Sequence, residues 1–301
     1  MAAFQVSDGL APLPFEESWG NEALRAALPA VSDDANKYTR GVLTLVAGSS
    51  RYPGAACLAS FAGQRMGAGY TEVVTCKAAR QAILGSCPSM VVYDLKTWTP
   101  DDLRSNTRDA RHAVCVGPGF DPDNADGAQL VCDVLERAEI PVLVDGGGLA
   151  ALGSPQAARI LVGRHGKGLV TVLTPHEGEA VRLARTLNLN SSDPARLSLL
   201  LAASLESVVV VKGPDTFISD GERVIPMVEG TSALSKAGTG DVLAGMVASL
   251  LAQGVDAVAA AVLGTTLHAR AGVRAAERFT ETCVVPEDVI AAIPDAVRSL
   301  L

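Results

Sequence analysis

The sequence predicts an α/β protein, a single three-layer α/β/α domain with a mainly parallel central sheet. Three observations carry this. Short runs such as residues 42–47 and 208–211 are apolar but for Thr44, the pattern of strands buried on both faces of a parallel sheet. Segments of helical spacing alternate with such runs along the chain. Strands also run straight into glycine, at Gly48 and Gly117, which puts turns at the sheet edge where open α/β folds bind ligands. With 301 residues, 48% of them hydrophobic, the chain can bury one large core, and aromatics at only 4% leave the packing to Ala, Val, Leu and Gly.

Residues 1–36 read as an arm on the main domain, broken by Pro12, Pro14 and Pro29, with a surface helix over 21–28. The domain proper spans 37–301. Its first strand, 42–47, ends at Gly48-Ser49-Ser50, and a helix over 55–66 follows. Strands are expected at 72–76, 90–93 and 113–116, with a polar surface connection over 94–111 that carries a helical turn after Thr99. Val116-Gly117-Pro118-Gly119 closes a strand with a rigid turn, open to a structural or a ligand-facing reading.

A helix over 125–138 precedes a strand over 141–145, which places Asp145 at a strand tip. Residues 169–173 form the next strand. Thr174 with Glu177 three positions on reads as a capping box, and Pro175 suits a first helical position. That leaves His176 without a structural role. Strand 208–211 leads to Lys212, then a hairpin of 217–219 and 223–228 turns at Asp220-Gly221. Helices over 255–278 and 286–301 close the chain, and no repeat or linker marks a second domain.

The stretch from Ala237 through Gly238, Thr239, Gly240 and Asp241 runs directly into the apolar segment 242–251. It reads as the first turn of a buried helix, whose unpaired N–H groups and partial positive charge suit an anion. A carboxylate in that turn makes chemical sense if Asp241 takes a proton from a hydroxyl that then attacks phosphorus. An ordinary loop before a helix, with an acid favouring the dipole, fits these residues equally well. No Gly-Lys-Ser/Thr follows, so this is not a Walker loop.

Composition excludes several classes. A net charge of −8 argues against a nucleic-acid or anionic-membrane surface. The six cysteines include no C-x-x-C pair, which reads as buried thiols in a reducing cytoplasm rather than a zinc site or a disulfide framework. Residues 1–13 show no secretion signal, and no apolar run reaches membrane-spanning length; the apolar stretch 255–267 is expected in the core.

Gly238 to Gly245, read as Gly-Thr-Gly-Asp-Val-Leu-Ala-Gly, resembles the ribokinase-like superfamily and, within it, the ADP/ATP-dependent NAD(P)H-hydrate dehydratases. Gly48-Ser49-Ser50-Arg51-Tyr52-Pro53-Gly54-Ala55-Ala56, the Gly117-Pro118-Gly119 turn, Thr174 to Glu179 and Lys212-Gly213-Pro214-Asp215-Thr216 agree with it in order. The resemblance runs from about residue 37 onward. It implies a stand-alone dehydratase without the epimerase domain often fused to this family.

By that resemblance, Asp241 is catalytic and Ala237, Gly238, Thr239 and Gly240 form an anion hole. Residues 212–216 with Gly240 take ADP or ATP. Ala55, Ala56, Gly119, His176 and Asp241 face hydrated NADH or NADPH. Mg2+ is expected on the nucleotide's phosphates, and the sequence offers no clear set of metal ligands. The relatives carry Asp-Ala-Asp-Ala where this chain has Asp145-Gly146-Gly147-Gly148. Any role of the second acid is lost, and the added glycines are expected to loosen the turn. Two further readings stay open: a ribokinase-like kinase acting on a vitamin hydroxyl such as that of hydroxyethylthiazole or pyridoxal, and a silent nucleotide-binding module. A homo-oligomer also stays open, since no single stretch demands one.

Overall fold

A computed structural model describes residues 12–105 and 111–301. The absence of a secretion signal, read over residues 1–13, and the middle of the 94–111 connection rest largely on positions outside the described residues. Nine strands form one sheet in the order β3-β2-β1-β4-β5-β6-β7-β8-β9. Strands β1 (Val42–Val46), β2 (Tyr70–Thr75), β3 (Val91–Asp94), β4 (His112–Val116), β5 (Val142–Val144), β6 (Thr171–Leu173) and β7 (Val208–Val211) are parallel. Strands β8 (Thr216–Ser219) and β9 (Val224–Met227) add an antiparallel hairpin at one edge.

Every residue of β1, β4 and β7 is buried, as continuous apolar runs require in a sheet covered on both faces. One cover layer is built from α2 (Pro53–Arg65), α3 (Lys77–Ser86), α9 (Thr239–Ala252), α10 (Ala257–Phe279) and α11 (Pro286–Arg298). The other consists mainly of α5 (Ala125–Arg137), α6 (Pro155–Gly166), α7 (Glu177–Thr186) and α8 (Pro194–Leu205). A short α4 (Asp102–Ser105) supplies the helical turn expected after Thr99. The apolar stretch at 255–267 falls in α10, most of whose residues there are buried. Among the described residues no helix is long and apolar enough to cross a membrane.

The arm docks through backbone pairing and one helix. Pro14 and Glu16 exchange hydrogen bonds with Val224 of β9, and α1 (Asn21–Ala27) buries Leu24 completely against the α10 layer. The cysteines correct the expectation of uniform burial. Cys87, Cys115 and Cys132 are buried, Cys57 and Cys76 are half-buried, and Cys283 is exposed because it lies in the turn between α10 and α11; all six are free thiols.

Helices α2 and α9 touch backbone to backbone. A Cβ added at Gly245 would land on the Ala59 carbonyl, so only glycine lets the two helices approach this closely. Both helices start at the carboxyl end of the parallel strands. Strand order reverses at β1, which pairs with β2 on one side and β4 on the other, and this is where α/β sheets open a crevice.

Candidate active site

Two cavities meet at the start of α9. The first, about 590 Å3, opens beside the β1–β4 reversal and is lined by Tyr52, Ala55, Gly119, Gly146, Gly147, Glu179, Arg182 and Asp241 among others. The second, about 700 Å3, is lined by Lys212, Gly213, Pro214, Thr216, Thr239, Gly240, Thr265 and His268 with the 228–235 segment. Gly240 and Asp241 are chain neighbours that face different cavities.

Gly238 caps α9 in the left-handed region at φ 98°, where its bare Cα also avoids Leu58 of α2. The N–H groups of Ala237, Gly238 and Gly240 have no acceptor among the described residues. The N–H of Thr239 differs: it donates to the Lys236 carbonyl at 3.3 Å. The Thr239 hydroxyl turns backward too, donating to the carbonyls of Leu234 and Lys236. Three of the four expected amides are therefore free for an anion, and Thr239 braces the loop that presents them.

Asp241 is half-buried, and burial is the main force pushing its carboxyl up to about 7. The negative charge of Asp145 adds to that, Lys212 opposes it, and Glu179 adds a smaller push. A carboxylate titrating near neutrality is suited to accept a proton.

Behind it lies a charged network whose members come from three strand ends. The Lys212 ammonium, at the end of β7, lies 2.7 Å from Oδ1 of Asp145 after β5. The Thr174 hydroxyl, after β6, donates to the same oxygen at 2.7 Å. Burial works against the charge on Lys212, and Asp145 and Glu179 outweigh it, so the ammonium stays protonated. Gly240 faces the Lys212 Nζ, whose distance from a Cβ built there would be 3.3 Å.

This geometry corrects the capping box. Helix α7 begins at Glu177, two residues later than Thr-Pro suggests, and His176 is its cap. The His176 Nδ1 accepts from the N–H groups of Gly178 and Glu179, while Glu179 Oε2 accepts the His176 N–H at 2.9 Å. Thr174 is drawn out of the cap because its hydroxyl satisfies buried Asp145.

The glycine run is not loose either. Gly146–Gly153 winds into a 3-10 helix, and Gly147 packs flush against the Phe120 carbonyl, where no side chain would fit. With no second carboxylate there, the wall beyond Asp145 is formed by backbone.

The structure brings Ala55, Gly119 and Asp241 together in the first cavity, and Lys212, Gly213, Pro214, Thr216, Thr239 and Gly240 in the second. Ala56 has no exposed surface and lies in the core behind Ala55. His176 and Asp215 are exposed and line neither cavity, and Ala237 and Gly238 reach the site only through their backbone. Sequence reasoning missed Thr174, Glu179, Arg182, Thr265 and His268. The last two lie one turn apart on α10, buried, with Thr265 Oγ1 and His268 Nε2 unpartnered. Burial holds His268 neutral, its pKa lowered to about 4. Only the chain's own spacing at 265 and 268 on a helix could have suggested that they act together.

The free amides and the Lys212 ammonium fit a nucleotide's phosphates. Among the described residues no group of three or more His, Cys, Asp or Glu could hold a metal ion, so an Mg2+ arriving with the nucleotide would be held by phosphates and water.

The chain is similar to several known proteins. A solved Bacillus subtilis ADP/ATP-dependent NAD(P)H-hydrate dehydratase, co-crystallised with ATP/Mg2+, superposes with a TM-score of 0.80 at 27% identity, covering 96% of this chain and 99% of that one. The ADP-dependent (S)-NAD(P)H-hydrate dehydratase of Xanthomonas campestris is 33% identical over 281 residues, 90% of this chain and 93% of its own. The bifunctional NAD(P)H-hydrate repair enzyme of Moorella thermoacetica is 32% identical over 92% of this chain, which spans only 53% of that protein. The family profile described as NAD(P)H-hydrate dehydratase matches residues 43–295, and the chain belongs to that family.

Proposed function

We propose that this protein uses ADP or ATP to dehydrate hydrated NADH or NADPH, restoring the reduced cofactor. The observation that carries the reading is the split at the start of α9: Asp241 faces one cavity and Gly240 the next. A ring hydroxyl in the first can meet a phosphoryl group held in the second.

Hydroxide leaves poorly at neutral pH, and a phosphate ester leaves readily. Asp241 takes the proton of the ring hydroxyl, whose oxygen attacks the terminal phosphorus of the nucleotide. The free amides of Ala237, Gly238 and Gly240 hold the charge that spreads over the phosphoryl oxygens. Lys212 adds a point charge at the same seat. Mg2+ would neutralise the nucleotide's phosphates. The phosphate then departs with the C–O electron pair, pushed by the ring nitrogen's lone pair, and recovers a proton from Asp241. Loss of a proton from the neighbouring ring carbon completes the product. Free thiols and an intracellular cofactor as substrate favour a cytoplasmic location.

The test is incubation of purified protein with hydrated NADH, Mg2+ and either ADP or ATP. Return of the reduced-nicotinamide absorbance that requires nucleotide is expected. A stable phosphate ester without that return would reject the reading.

A further inference from the structure

The dehydration takes two protons from the substrate, one from oxygen and one from carbon, and Asp241 accounts for the first. We propose that Glu179 is the base that removes the second, from the ring carbon next to the one that bears the departing phosphate. The proposal rests on the dehydratase reading of the same site.

Glu179 and Asp241 both line the first cavity, from the first turns of α7 and α9. The third acid on its wall, Asp123, is an exposed turn residue before α5. The Glu179 side chain is only 16% exposed, and its carboxylate is held by the His176 backbone N–H. Oε2 accepts the His176 N–H at 2.9 Å, and Oε1 lies 3.5 Å from His176 Nε2. Because His176 Nδ1 accepts from the Gly178 and Glu179 amides, the imidazole proton sits on Nε2. A capping glutamate ordinarily points along the helix surface. This one also borders the first cavity.

Burial raises the Glu179 carboxyl above its ordinary range, and Lys212 and the His176 N–H oppose that rise. The group is thus a stronger base than a solvated glutamate while remaining ionisable.

The step balances without a further reactant. Once phosphate has left with the C–O pair, the ring nitrogen shares its lone pair with the adjacent carbon and carries positive charge. Glu179 takes the proton of the next carbon; the C–H pair becomes the ring double bond, and the nitrogen recovers its lone pair. Glu179 then releases its proton to water at the cavity mouth.

Glu179→Gln isolates the step, because the glutamine oxygen still accepts the His176 N–H and preserves the start of α7. In a single turnover with ADP, AMP formation by rapid quench should stay within about threefold of the parent enzyme, while the return of absorbance slows about a hundredfold, as for loss of a general base. Deuterium at the attacked carbon should slow the absorbance phase and leave AMP formation unchanged. Equal slowing of both phases, or of neither, overturns the assignment. Should the glutamine variant fold poorly, Glu179→Asp serves in its place, and slowing confined to the absorbance phase supports the proposal. A parent enzyme that forms no product with either nucleotide overturns the dehydratase reading instead.

Discussion

The Lys212 ammonium and Oδ1 of Asp145 lie 2.7 Å apart across the end of β6, with the Thr174 hydroxyl donating to that same oxygen. Asp145 is almost fully buried and Lys212 nearly so, which makes each the other's compensation for leaving water. Lys212→Met leaves Asp145 buried and unpaired. It should lower stability by about 3 kcal/mol in urea unfolding, and Asp145→Asn in the same chain should recover much of the loss. Additive losses in the double variant would show that the pair is not coupled.

Asp241→Asn removes the proposed acceptor of the hydroxyl proton while leaving the α9 amides in place. Turnover should fall about a hundredfold or more, with nucleotide affinity retained in calorimetric titration. Near-normal turnover would reject the role.

The pH profile follows from the Asp241 carboxyl, pushed up to about 7 by burial and by Asp145. The base works only when ionised, so kcat should fall about tenfold per pH unit on the acid side of that value. Asp145→Asn removes a negative charge that raises the Asp241 pKa, so the acid limb should move to lower pH. An unmoved or upward-shifted limb would contradict this electrostatic account.

Gly245→Ala tests the contact between α2 and α9. The new methyl collides with the Ala59 carbonyl, a rigid backbone atom, so the helices must separate. A loss of about 3 kcal/mol is expected from overpacking, read as a lower midpoint of thermal or urea unfolding.

How much of this was legible follows from what each residue answers to. Strands β1, β4 and β7 could be read because burial on both faces demands a largely apolar run, interrupted here only by Thr44 and His112. Helix α9 could be read because glycines and an acid immediately precede eleven positions that are almost all apolar. The hairpin of β8 and β9 followed from Asp220-Gly221. The cap of α7 was misread because threonine before proline is a common helix start and histidine an unusual one; the competing partner of Thr174, Asp145, is 29 residues away in sequence and adjacent only once β5 and β6 pair. Glu179 was hidden for the same reason. Spacing alone gives the capping role to Glu177, and only the tertiary position of α7 shows that Glu179 caps it and also borders a cavity.

The close seam between α2 and α9 has a bearing on how the enzyme can move. Ala55 stands at the head of one helix and Asp241 at the head of the other, and with Gly245 seated on Ala59 neither helix can slide or rock past its neighbour. The gap proposed to receive the reacting ring is therefore a fixed gauge.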